Sequence, residues 1–219
     1  MRAGEPPSRP LSASTPHPAL KLGILISGRG SNLRAIAEAI GRGDLPASIE
    51  IVISNRANAP GLAWAQRAGL RTSLLTREDL PAREQRQEAM RRLLEAAEVG
   101  LVVLAGFDEV LVDQFVEAFA GRIMNVHPSL LPAFGGSMKA VQAAYDYGVK
   151  VSGCTVHLVT REVDGGPIIL QRAVEVREVD TAETLAERIL AEEHLALPEA
   201  IRLFAEGRLQ IEGRRVRIV

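Results

Sequence analysis

Asn125 and His127 sit two residues apart at the end of a predicted buried strand, Arg122 to Val126, that ends at His127-Pro128. In a strand, residues i and i+2 project to the same side, so an amide and an imidazole face one crevice. The amide can donate N–H to an oxygen on which negative charge develops, and a protonated imidazole can add a charge-assisted bond. Asp164, in the turn Arg161-Glu162-Val163-Asp164-Gly165-Gly166-Pro167, is the natural third member. The glycines there permit backbone angles that bring a carboxylate near a crevice, where it would ion-pair with the imidazole and help move a proton.

Taken singly, the histidine and the aspartate have ordinary explanations, as a loop anchor and a turn residue. Asn125 is harder to explain, because an amide at the end of a buried strand is costly unless something occupies its hydrogen bonds. Nothing in the set calls for a metal, since the histidines are not spaced as a chelate. Ser129 lacks a second histidine base and makes a poor nucleophile. Cys154 and His157, on a later strand, read as packing residues.

These groups need a scaffold, and the pattern supplies an α/β one: an open, mostly parallel twisted sheet with helices on both faces. Strands are predicted at 22–26, 49–54, 72–75, 99–107 and 122–126. Helices are predicted from Asn32 to about Ile40, after Pro60 as far as Gly69, and over 83–98 and 112–120. Two further strands, 149–160 and 168–176, flank the Asp-Gly-Gly-Pro turn and are expected to form an antiparallel pair at the sheet edge. A helix from about Thr181 to Glu206 and a hairpin around Gly213 close the chain. Open α/β sheets place their chemistry beyond the carboxyl ends of the strands, so residues after Ile26, Leu104 and Val126 are expected to converge.

Gly28-Arg29-Gly30-Ser31-Asn32-Leu33 joins the first strand to the first helix, where backbone N–H groups and the helix dipole suit a single phosphate. It is a poor dinucleotide fingerprint, because Leu33 replaces the third glycine and Ser54-Asn55-Arg56 offers no ribose-binding carboxylate. It also lacks the Lys-Ser/Thr of a Walker loop. The plain alternative is an ordinary turn capped by Ser31 or Asn32.

The 219 residues, 47% of them apolar, suffice for one substantial core. Residues 1–20, with five prolines, read as a flexible tail lacking a signal sequence, and 21–219 as a single domain. A net charge of −1 argues against a nucleic-acid partner. The single cysteine rules out an intrachain disulfide and suits a reducing cytoplasm. No apolar stretch is long enough to span a membrane.

Asn-Val-His-Pro-Ser-Leu-Leu-Pro at 125–132 and Val-Asp-Gly-Gly-Pro-Ile at 163–168 resemble the signature of the 10-formyltetrahydrofolate-using formyltransferases and their hydrolase relatives. The resemblance runs from about residue 21 to about 213. Five further stretches (30–33, 54–57, 103–107, 155–157 and 193–194) are similar to the branch whose acceptor is the amino group of glycinamide ribonucleotide, in purine synthesis.

The resemblance implies a single Rossmann-like formyltransferase domain, active as monomer or homodimer on small-molecule substrates. It implies that Gly30, Ser31 and Asn32 hold the acceptor's phosphate and Glu193 its ribose. The formyl folate would lie along Asp108, Glu109, Val110 and Leu111, with Arg83 nearby and Asn125 at the formyl end. His127 and Asp164 would flank the transferring carbonyl, and a cis bond would precede Pro132.

Two stretches depart from the family's usual pattern. Asp108-Glu109 replaces a common Met-Arg pair, so an acidic rim is expected beside the folate. The loop Ala133 to Lys139 lacks the usual Pro-Gly and His. Formyltetrahydrofolate hydrolysis is the nearest alternative, though those relatives carry an additional N-terminal regulatory domain. A methionyl-tRNA formyltransferase would need a C-terminal RNA-binding domain and a basic surface. A non-catalytic nucleotide-binding module is the alternative from another class. It predicts scattered side chains, whereas a transferase predicts one cavity shared by Asn125, His127 and Asp164 and bordered by the Gly30 loop.

Overall fold

A computed structural model describes residues 19–219, so most of the expected tail lies outside the described residues. Leu20, assigned to that tail, instead opens the first strand and pairs with Ala47. The elements run β1 (Leu20–Ile26), α1 (Ser31–Gly41), β2 (Ala47–Ser54), α2 (Pro60–Arg67), β3 (Thr72–Leu74), α3 (Arg83–Ala96), β4 (Leu101–Leu104) and α4 (Asp113–Ala118). They continue with β5 (Ile123–His127), α5 (Ala140–Tyr147), β6 (Val151–Leu158), β7 (Ile168–Glu175), α6 (Ala182–Ala205), β8 (Leu209–Glu212) and β9 (Arg215–Ile218). The short helix α5 has no counterpart among the predicted elements.

Seven strands form one sheet in the order β3-β2-β1-β4-β5-β6-β7, parallel through β5 and antiparallel from there, with β8 and β9 as a separate hairpin. The order reverses direction between β1 and β4, which opens a crevice beyond their carboxyl ends.

Period-two alternation divides the core. Leu22, Ile24 and Ile26 of β1, Val103 of β4 and Met124 and Val126 of β5 belong to one apolar cluster, with Leu33 of α1 and Ile189, Leu197 and Ile201 of α6. Leu25, Ile53, Val102, Leu104 and Ile123 belong to the opposite cluster, with Met90 and Leu94 of α3 and Phe115 of α4. Asn125 and His127 share the parity of Ile123, so the strand itself turns them toward the α3 and α4 side.

The long helix α6 starts at a capping box in which the Thr181 and Thr184 side chains each accept the other's backbone N–H. Pro198 lies within it without ending it. Among the described residues, no helix is long and apolar enough to cross a membrane.

Candidate active site

Asn125, His127 and Asp164 converge on one cavity of about 330 Å³. It is lined also by Gly106 to Leu111, Val116, His157 and Val159, an apolar wall beside a polar corner. Register explains the convergence. Asn125 pairs in parallel with Leu104 on one side and antiparallel with His157 on the other, so β4, β5 and β6 meet at one level of the sheet.

The polar corner is tightly connected. Asn125 Nδ2 lies 3.1 Å from His157 Nε2, while His157 Nδ1 faces the Leu158 carbonyl at 3.0 Å. The second contact places hydrogen on Nδ1 and leaves Nε2 to accept from Asn125. One amide hydrogen of Asn125 is thereby used and the other is free. His127 Nε2 lies 3.1 Å from the Phe134 carbonyl, which fixes hydrogen on Nε2, and its Nδ1 lies 3.3 Å from Asp164 Oδ2. Nδ1 is then the nitrogen able to exchange a proton with the site.

Asp164 adopts a left-handed conformation, φ 52°, itself rather than leaving it to its glycine neighbours. Gly166 serves packing instead, since a Cβ there would lie 1.8 Å from the Leu158 carbonyl oxygen. Burial pushes the Asp164 carboxyl up, but the Gly136 N–H and the adjoining imidazoles outweigh it and hold the pKa below the ordinary aspartate value. Asp164 Oδ2 accepts the Gly136 N–H at 2.7 Å and Oδ1 lies 3.5 Å from His157 Nε2.

His157, read from sequence as packing, therefore belongs to the site. The signal was present in the alternation of β6: Cys154, Val156 and Leu158 enter one core cluster, which turns Thr155 and His157 toward Asn125 and His127. Cys154 is buried packing as expected, and its thiol is pushed up to about 12 by burial. Ser129 donates to the Ala133 carbonyl at 2.5 Å, a structural bond within the loop after β5. The Leu131-Pro132 bond in that loop is cis, as the resemblance implied.

The glycine-rich loop lies outside the lining of this cavity. Gly30 is the N-cap of α1, φ 70°, and no side chain caps the helix, so neither Ser31 nor Asn32 plays the capping role considered from sequence. A Cβ on Gly30 would come 2.6 Å from Gly61 Cα, so the loop is pressed against the start of α2. Asn32 points elsewhere, donating from Nδ2 to Glu193 Oε2 at 2.7 Å and leaving its buried Oδ1 without a partner among the described residues. Burial pushes the Glu193 carboxyl up to about 6, against the Asn32 bond and the charge of Arg29. Asn32 of α1 and Glu193 of α6 thus form a buried polar pair beside the glycine-rich loop. Ser27 ties this region to the cavity wall, its N–H donating to the Gly106 carbonyl and its Oγ accepting the Asp108 N–H.

The expected acidic rim is not a free one. Asp108 accepts from Asn55 at 2.9 Å and pairs with Arg56. The Glu109 carboxylate, 3% exposed, is held by Arg86 and Gln87 of α3. Arg83 lies on the far side of the same loop, lining a groove with Arg77, Asp108, Glu109 and Val110.

Comparison with known proteins agrees with this geometry. A family model described as Formyl transferase matches residues 20–201. Phosphoribosylglycinamide formyltransferases of Haemophilus influenzae and Escherichia coli are 40% and 39% identical, covering 88% and 86% of this chain and 90% and 88% of theirs. The trifunctional purine biosynthetic protein adenosine-3 of Gallus gallus is 43% identical over 88% of this chain, which spans only 19% of that relative. Glycinamide ribonucleotide transformylase 1 from Symbiobacterium toebii superposes with a TM-score of 0.89 at 52% identity, over 92% of this chain and 94% of that one. A formyltetrahydrofolate deformylase from Pseudomonas syringae gives 0.85 at 26% identity, over 91% and 66%. Matched along most of its length and carrying the Asn125, His127 and Asp164 corner at the end of β5, the chain belongs to the formyl transferase family.

Proposed function

We propose that the chain transfers the formyl group of 10-formyltetrahydrofolate to the amino group of glycinamide ribonucleotide, a step of purine biosynthesis. The observation that carries this reading is the convergence of Asn125, His127 and Asp164 on one cavity with an apolar wall. That wall, formed by Phe107, Val110, Leu111, Val116 and Val159, suits a flat heterocycle. Asp108 to Leu111 would border the folate, with Arg83 on the outer side of the same loop. Gly30, Ser31 and Asn32 would receive the acceptor's phosphate and Glu193 its ribose. The unpartnered Asn32 Oδ1 beside Glu193 is what a polar ligand there would satisfy.

The amine attacks the formyl carbon directly, and the barrier lies in charge growing on the formyl oxygen while a poor nitrogen leaving group departs. Asn125 offers its free amide hydrogen to that oxygen, and protonated His127 donates from Nδ1. Asp164, ionised beside His127, keeps that imidazole in place by its charge and holds a water that takes the proton the attacking amine must lose. The leaving nitrogen takes its proton from His127 or from a water bound to Asp164. His157 orients the Asn125 amide by accepting its other hydrogen. No acyl-enzyme intermediate is needed. We place the enzyme in the cytoplasm, in keeping with its single free thiol, and expect it to act as a monomer or homodimer.

The test is product identity. With both substrates present, mass spectrometry should find one formyl group on the ribonucleotide amine, and donor consumed without that product would overturn the assignment. Formyl-folate hydrolysis is the second reading, favoured by the deformylase likeness and by a catalytic corner that would serve water equally well.

A further inference from the structure

The loop from Asp108 to Val112 is gripped from behind by α3. Gln87 is fully buried and commits every polar atom to that loop. Its Nε2 donates to Glu109 Oε1 at 2.8 Å and to the Val110 carbonyl at 2.9 Å, while its Oε1 accepts the Val112 N–H at 2.8 Å. Arg86, its side chain 2% exposed, donates to Glu109 Oε2 from Nε at 3.2 Å and from Nη2 at 2.6 Å. Its remaining nitrogen, Nη1, donates to the Leu80 and Pro81 carbonyls, so one guanidinium joins the approach to α3 to the cavity loop. The cavity lies on the other side of that loop, and Val110 stays half exposed at its rim.

We propose that Arg86 and Gln87 are positioning residues for the formyl donor: they set the shape of the wall against which it binds while touching neither substrate. The inference rests on the reading of residues 108–111 as the donor's wall. Irregular backbone over a cavity has no ladder to hold it, so its polar groups need side-chain partners. Here Gln87 supplies partners for one carbonyl and one N–H. Both Glu109 oxygens are engaged by α3, so its charge is answered by the helix rather than presented to a ligand. Burial makes the arrangement stiff in one sense: removing one member strands a desolvated polar or charged group, and the loop must move to rehydrate it. The residues proposed for the acceptor, Gly30, Ser31, Asn32 and Glu193, include none of this clamp, so the effect falls on the donor alone.

Steady-state kinetics of the full chain test the proposal. Gln87→Leu keeps the volume and deletes all three contacts. It should raise the KM for 10-formyltetrahydrofolate about tenfold, with kcat and the KM for glycinamide ribonucleotide changed by no more than about twofold. Arg86→Lys keeps the charge opposite Glu109 but loses the fork, and a rise of about threefold in donor KM is expected. If Gln87→Leu fails to fold, Arg86→Lys alone decides. Unchanged donor KM in the folded variants, or an equal rise in both KM values, would overturn the clamp. A wild-type chain without transfer activity would instead overturn the functional reading beneath it.

Discussion

Asp164 and Glu193 are carboxylates of similar burial, 12% and 7% exposed, at opposite ends of the proposed site. Asp164 has partners for its charge: the His127 Nδ1 at 3.3 Å and a backbone N–H at 2.7 Å. Its pKa is held below the ordinary value. Glu193 has one amide bond, from Asn32, and the more distant charge of Arg29, too little to offset burial, and its pKa rises to about 6. The difference separates two tasks. A group that must stay ionised through a reaction is enclosed by donors, whereas a group that waits for a ligand keeps an unmet hydrogen-bonding demand.

The contrast can be broken most severely at Asp164. Asp164→Asn should lower kcat by about 10³-fold, because the neutral amide has no charge to pair with His127 or to orient the water that takes the amine's proton, while both KM values move by less than about threefold. Unchanged turnover would sink the role given to it. Asn125→Ala removes one oxyanion donor and should cost about 10²-fold in kcat, read from the same assay. Glu193→Gln should leave kcat nearly intact and raise the acceptor KM about tenfold, with no effect on the donor KM.

A smaller and sharper effect is pH dependence. With Glu193 titrating at about 6, the acceptor KM of the wild type should fall as pH rises through 6 and the ribose-binding carboxylate forms. Glu193→Gln should flatten that profile. Stability runs the other way. Between the ordinary value of 4.5 and about 6 the folded chain keeps a proton that the unfolded chain has released. The contribution, about 2 kcal/mol, is therefore complete below 4.5 and lost as pH rises through 6. Urea midpoints of wild type and Glu193→Gln across that window would measure it.

Much of this was legible in the residues. The β-branched runs gave the parallel strands, and the i, i+2 spacing of Asn125 and His127 gave their shared face, because strand geometry allows no other outcome. Boundaries were less legible: the fourth strand ends at Leu104 rather than Phe107, where Gly106 takes φ 78° and turns the chain. The helix α5, Ala140 to Tyr147, was not predicted: it is short, and the only side chains it buries are two alanines, Ala140 and Ala144, which make a small apolar face.

The largest gap was tertiary. Glu109 looked like an exposed acid because its partners, Arg86 and Gln87, lie more than twenty residues earlier, on a helix that read as a solvated charged face. His157 looked like packing for a related reason: the alternation of β6 gives its face, but the pairing of β6 with β5 in register with Asn125 is a fact of topology.

The central claim is that the corner formed by Asn125, His127 and Asp164 directs an amine, rather than water, at the formyl carbon. Following deformylated folate while glycinamide ribonucleotide is titrated into enzyme and 10-formyltetrahydrofolate tests it most directly. The account predicts negligible release without the ribonucleotide and one folate released per ribonucleotide added. Release at the same rate with and without it would contradict the account.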